Sequence, residues 1–92
     1  MNLYLITFQM ADDERSRAMR DCIKEYGIWA RITDGTWCIK VADKTTADIR
    51  DNLNSKFALQ NTERLMVVNI TNSPWASYYL PKEVAEWLKD GK

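Results

Sequence analysis

The sequence predicts an α+β fold with the element order βαββαβ followed by one further helix, and three observations predict it. Runs at residues 2–8 and 64–71 are apolar on both alternating sides and too short for helices, which marks strands covered from two faces. Asp34-Gly35 separates two β-rich runs and reads as a hairpin turn. Two segments with apolar residues at three- and four-residue steps lie between strands, each behind a capping residue.

Tyr4, Leu5, Ile6 and Phe8 give the first strand its aromatic and β-branched character. Asp12 and Asp13 then open a helix whose stripe is Arg15, Ala18, Met19, Cys22, Ile23 and Tyr26, and Gly27 supplies the left-handed residue that stops it. Runs 28–33 and 36–41 flank the Asp-Gly pair, for which a two-residue type I′ loop is expected. That loop sets Ile32/Trp37, Ala30/Ile39 and Ile28/Val41 on the core side and leaves Trp29/Lys40 and Arg31/Cys38 on the other. Thr45 or Thr46 caps a second helix reaching Phe57, with Ile49, Leu53 and Phe57 inward. Asn72-Ser73-Pro74 ends the fourth strand, and Pro81 suits the first turn of a short helix to Asp90 with Val84, Trp87 and Leu88 inward. The order is that of the split βαβ, or ferredoxin-like, arrangement, with two helices on one sheet face and the other face open. Strands apolar on both sides require a cover there. The expected cover is a homodimer, with a C-terminal clasp at 72–90 of Trp75, Tyr78, Tyr79 and Trp87 contributing.

Ninety-two residues, 46% of them hydrophobic, make a single domain, 1–92, with one real core. The absence of histidine removes Ser/His/Asp and Cys/His nucleophilic sites and His-ligated zinc. Thirteen basic residues balance 13 acidic ones, so the phosphate-neutralising excess of a dedicated nucleic-acid binder is missing. A protein partner is favoured over nucleic acid. Cys22 and Cys38 match no zinc or CxxC spacing and read as reduced thiols. With an N-terminal run that has no basic lead and no apolar stretch of membrane-spanning length, a cytoplasmic location with no membrane partner is expected.

The first strand and its exit, Tyr4-Leu5-Ile6-Thr7-Phe8-Gln9-Met10-Ala11-Asp12-Asp13-Glu14-Arg15, resemble the opening of the small CRISPR-associated adaptation proteins, the Cas-two type. From Thr36 on the chain is similar to the related SinR-like family. The likeness is carried by Thr36-Trp37-Cys38-Ile39-Lys40, by Ile49-Arg50-Asp51-Asn52-Leu53, and by Trp75, Leu80-Pro81-Lys82-Glu83 and Trp87-Leu88. This resemblance implies a ferredoxin-like homodimer, acting in some members as a metal-dependent endonuclease and in others as an adaptor. It also implies a metal-placing aspartate at the end of the first strand, and here that position is Gln9, whose neutral amide lacks the charge that draws Mg²⁺ or Mn²⁺.

Asp12 and Asp13 are the residues that could take the aspartate's place as catalytic and metal-ligating groups, and their competing role is to cap the helix and complement its dipole. Arg17, Arg20 and Lys24 are spaced to pair with Glu14, Asp21 and Glu25 along the same helix. Trp29, Arg31 and Lys40 form the expected partner-binding set, since Trp and Arg anchor protein interfaces. The function expected is a non-catalytic interaction or adaptor module without a cofactor. The alternatives are a divalent-metal endonuclease acting on RNA or DNA, which alone would need Mg²⁺ or Mn²⁺, and an immunity- or antitoxin-type neutralising protein.

Overall fold

The computed structural model describes residues 1–89. The chain folds as β1 (Asn2–Gln9), α1 (Asp13–Lys24), β2 (Trp29–Thr33), β3 (Thr36–Val41), α2 (Thr46–Phe57), β4 (Arg64–Asn69) and α3 (Lys82–Lys89). The architecture is α+β, a four-stranded antiparallel sheet with three helices, in the strand order β2-β3-β1-β4. The central strand β1 pairs through Ile6 with Trp37 of β3 on one side and Val67 of β4 on the other.

The caps are local and fall where the side chains dictate. Asp12 Oδ1 accepts from the Arg15 N–H at 2.8 Å, one of the free donors of the first turn of α1. Thr45 and Asp48 close a reciprocal capping box on α2, and Ala58 ends that helix in the left-handed region at φ 50. Between α1, α2 and the sheet lies the first core, built on Tyr4, Ile6, Met19, Trp37, Ile39 and Leu53.

The hairpin departs from the expected register. Neither Asp34 nor Gly35 has a positive φ, so the loop is not a type I′ turn, and β2 carries a bulge between Arg31 and Thr33. The bulge supplies the twist that a primed turn would have given. One extra residue, Ile32, shifts the pairing beyond it, so Trp29 faces Ile39 and Arg31 faces Trp37. Ile28 is exposed rather than in the core, and Ala30 and Ile32 turn to the second face, opposite their expected positions. Gly35 fits closely against the end of β1: its carbonyl accepts from Phe8 N–H at 2.8 Å, and a Cβ there would meet the Phe8 carbonyl oxygen at 2.7 Å.

On the second face α3 packs over β2 and β3. Leu88 joins Leu3 and Cys38 in a small core bordered by Ile32, Val84 and Trp87. Cys38 is therefore 1% exposed beneath the helix, not on an open side, and burial pushes its thiol up to about 11. The clasp is narrower than expected. Leu80 and Trp87 pack, whereas Tyr78 and Tyr79 are 92% and 100% exposed, and Asp90 lies outside the described residues. Met66 and Val68 of β4 stay exposed on the same face.

Candidate functional site

The three residues expected to meet a partner do not share one face, because the bulge moves two of them. Trp29 and Arg31 project to the α1 and α2 side of the sheet, and Lys40 lies under α3. They converge instead on one edge of the molecule. β2 is an end strand, and α3 runs beside it on the second face. Between the two is a groove of about 320 Å³ lined by Trp29, Arg31, Ile32, Pro81, Val84 and Trp87, with Glu83 at its rim.

Each wall is held in a way the chemistry explains. Lys40 Nζ sits 4.0 Å from the centroid of the Trp87 indole and donates at 2.8 Å to the Trp87 carbonyl, in the last described turn of α3. A cation at that terminus also complements the helix dipole. Lys40 thus positions Trp87 from beneath. On the other wall Trp29 stacks at a tilt on Trp37 with centroids 5.2 Å apart, and Lys24 Nζ lies 5.3 Å from the Trp29 ring and 5.6 Å from that of Trp37. Trp29 keeps 38% of its surface exposed. Among the described residues Arg31 pairs with Asp34 alone, at 3.6 Å with both side chains largely in water, a contact of little energetic weight. The guanidinium remains available to an incoming carboxylate. The groove's Trp29, Trp87 and Arg31 are of the residue types that anchor interfaces.

The acidic candidates are elsewhere. Asp12 is exposed and accepts from its helix N–H, Asp13 is exposed in the first turn of α1, and Gln9 is exposed at the end of β1 opposite Arg64. Among the described residues no three His, Cys, Asp or Glu side chains gather in a metal-holding group. The stabilising charge in that region is Glu63, which sequence reading passed over. Its side chain is fully buried, with Oε2 accepting from Arg15 Nε at 2.7 Å and the Ala11 N–H at 3.0 Å, and Oε1 accepting from the second Arg15 nitrogen at 2.8 Å and the Gln60 N–H at 2.9 Å. The Arg15 bonds chiefly, aided by the two backbone donors, hold its carboxyl down at about 2. Arg15 lies on the helix stripe and Glu63 in a polar stretch 48 positions later, and the sequence between them carries no signal of the pair. Pairing along α1 is likewise replaced: Lys24 goes to the two indoles, and Glu25 to Lys56 of α2 at 3.2 Å.

A larger hollow, about 530 Å³, lies beside Leu3, Ile70, Trp75 and Leu88, but it is bounded by Lys89, the last described residue, and carries no assignment. Among the described residues no helix is long and apolar enough to cross a membrane. No protein-family model matches the chain, and no curated protein matches its sequence.

Proposed function

We propose that the chain is a non-catalytic protein-interaction module of the cytoplasm, built on a ferredoxin-like scaffold of the kind the SinR-like and small CRISPR-associated proteins use. The observation that carries this reading is the groove at the β2 edge, where Trp29 and Arg31 of the sheet meet Val84 and a Trp87 held by Lys40. The ferredoxin-like assignment is supported by the element order and by a sheet in which β1 lies between β3 and β4 with α1 and α2 packed on one face. Free thiols at Cys22 and Cys38 suit a reducing compartment. The test is partner capture by the tagged chain and by surface variants. Trp29→Ala and Arg31→Glu should each lose the partner that the parent chain retains, and Arg17→Glu on exposed α1 should keep it. Equal capture by all of them would move the partner off this groove.

A second copy is proposed for the opposite edge. The Ile70 N–H donates to Leu3 C=O, so by alternation Met66 and Val68 bond β1, and the amide groups of Leu65, Val67 and Asn69 face outward. A two-fold axis at Val67 lets these groups pair with themselves and sets Met66 against the copy's Val68, covering two exposed apolar side chains. This edge has no proline, lysine or bulge to block pairing. Light scattering should give a dimer for the parent and a monomer for Val67→Pro; a parent monomer at high concentration would remove the copy from this reading.

A further inference from the structure

We infer that the partner enters the groove as an extended acidic peptide that adds a fifth strand to the free edge of β2; the inference rests on the groove being the partner site. Its first support is the direction of the backbone. The Lys40 N–H donates to Ile28 C=O at 3.1 Å, so residues 28 and 30 bond β3, while the N–H and C=O of Trp29 and Arg31 point away from the sheet. These groups are the pairing template that strand addition uses. The bulge after Arg31 limits the template to this short stretch. Side-chain contacts must then supply the remaining affinity and the specificity.

The alternation of a strand determines what those contacts are. On an antiparallel added strand, the residue opposite Ala30 points to the second face, between β2 and α3, where Ile32, Pro81, Val84 and Trp87 form an apolar floor. The residues opposite Trp29 and Arg31 point to the other face. Among the described residues the cations there without a close ion pair are Arg31, which stands 3.6 Å from Asp34, and Lys24, which lies over the Trp29 ring. The complementary sequence is therefore acidic, apolar, acidic, with the first carboxylate opposite Arg31 and the second beside Lys24. α3 continues as a ledge beside the edge strand, so the apolar side chain is sandwiched rather than left in water.

The probe is the capped peptide acetyl-Thr-Thr-Glu-Val-Glu-Thr-Thr-amide, titrated into the full chain with amide exchange and calorimetry as readouts. The proposal expects a dissociation constant below about 1 mM, and at saturation a slowing of exchange at the Trp29 and Arg31 amides by about tenfold or more. Arg31→Glu should weaken this peptide by about tenfold and restore binding to the Lys-Val-Glu counterpart, because the pair at position 31 is then reversed on both strands while the carboxylate beside Lys24 is kept. Absence of binding, or binding without protection of those two amides, overturns strand addition. The partner-capture test separates the two ideas. If Trp29→Ala and Arg31→Glu abolish capture while the amides stay unprotected in the complex, the groove stands and the strand does not; if capture ignores those variants, the groove reading itself falls.

Discussion

Replacing Leu88 by alanine should release α3 from the sheet while leaving the rest of the molecule folded. Leu88 is 7% exposed and is one of three buried residues in the small second core, directly with Cys38 and Leu3. Truncating a buried leucine costs about 2–5 kcal/mol, less where the surroundings can relax or hydrate. The 530 Å³ hollow beside Leu88 allows that relaxation, which puts the cost at about 2–3 kcal/mol. Leu53, 0% exposed between α2 and the sheet, lines neither hollow, and Leu53→Ala should cost about 3–5 kcal/mol of global stability. Cys38 reports the difference, because its thiol, raised to about 11 by burial, reacts only when α3 lifts. In a Cys22→Ala background, alkylation of Cys38 in native buffer should accelerate about 30- to 150-fold on Leu88→Ala, the factor that 2–3 kcal/mol of local opening implies. Urea titration supplies the global value for each variant. The reasoning fails if Leu53→Ala speeds Cys38 alkylation as much as Leu88→Ala does, since Cys38 would then open only with the whole fold.

The remaining expectations concern the elements that support the groove. Glu63 has a folded carboxyl at about 2, below its ordinary 4.5, so its contribution is complete above 4.5 and is lost as pH falls toward 2. Thermal melts across that window should show the parent losing stability where Glu63→Gln, less stable at neutral pH, changes little; parallel profiles would remove Glu63 as the source. Gly35→Ala should cost about 1–3 kcal/mol by urea titration, since its Cβ would displace backbone at Phe8 and weaken the Phe8–Gly35 bond. A cost near zero would show that the hairpin tip yields freely. Ala58→Gly should stabilise by about 1 kcal/mol by relieving the left-handed end of α2, and no gain in melting temperature would contradict that.

What was legible in the sequence was what short stretches decide by themselves. Thr45 with Asp48, Asp12 before α1 and the apolar stripe through Met19 and Ile23 give the same elements whether read along the chain or in space. The bulge at Ile32 was not legible, because Ile32 is drawn to α3, an element fifty residues later, and a single added residue exchanges the faces of Trp29 and Arg31. For the same reason the three residues expected on one face lie on two: Trp29 and Arg31 line the groove, and Lys40 supports its wall. Glu63 and Lys24 carried no local mark, since a buried carboxylate and an amine over two indoles look like surface charges until the chain folds. Tyr78 and Tyr79 show the converse, aromatic residues that composition sends to a core and the backbone leaves in water.

The most direct measurement of the central claim is site-specific photo-crosslinking in cells that produce the chain, with the reactive residue placed at Val84 in the groove and, separately, at exposed Ala47 on α2. A discrete protein adduct from position 84 that is absent from position 47, and that disappears on Trp29→Ala, is the predicted result. Adducts from position 47 alone, or an adduct at 84 indifferent to Trp29, would contradict it.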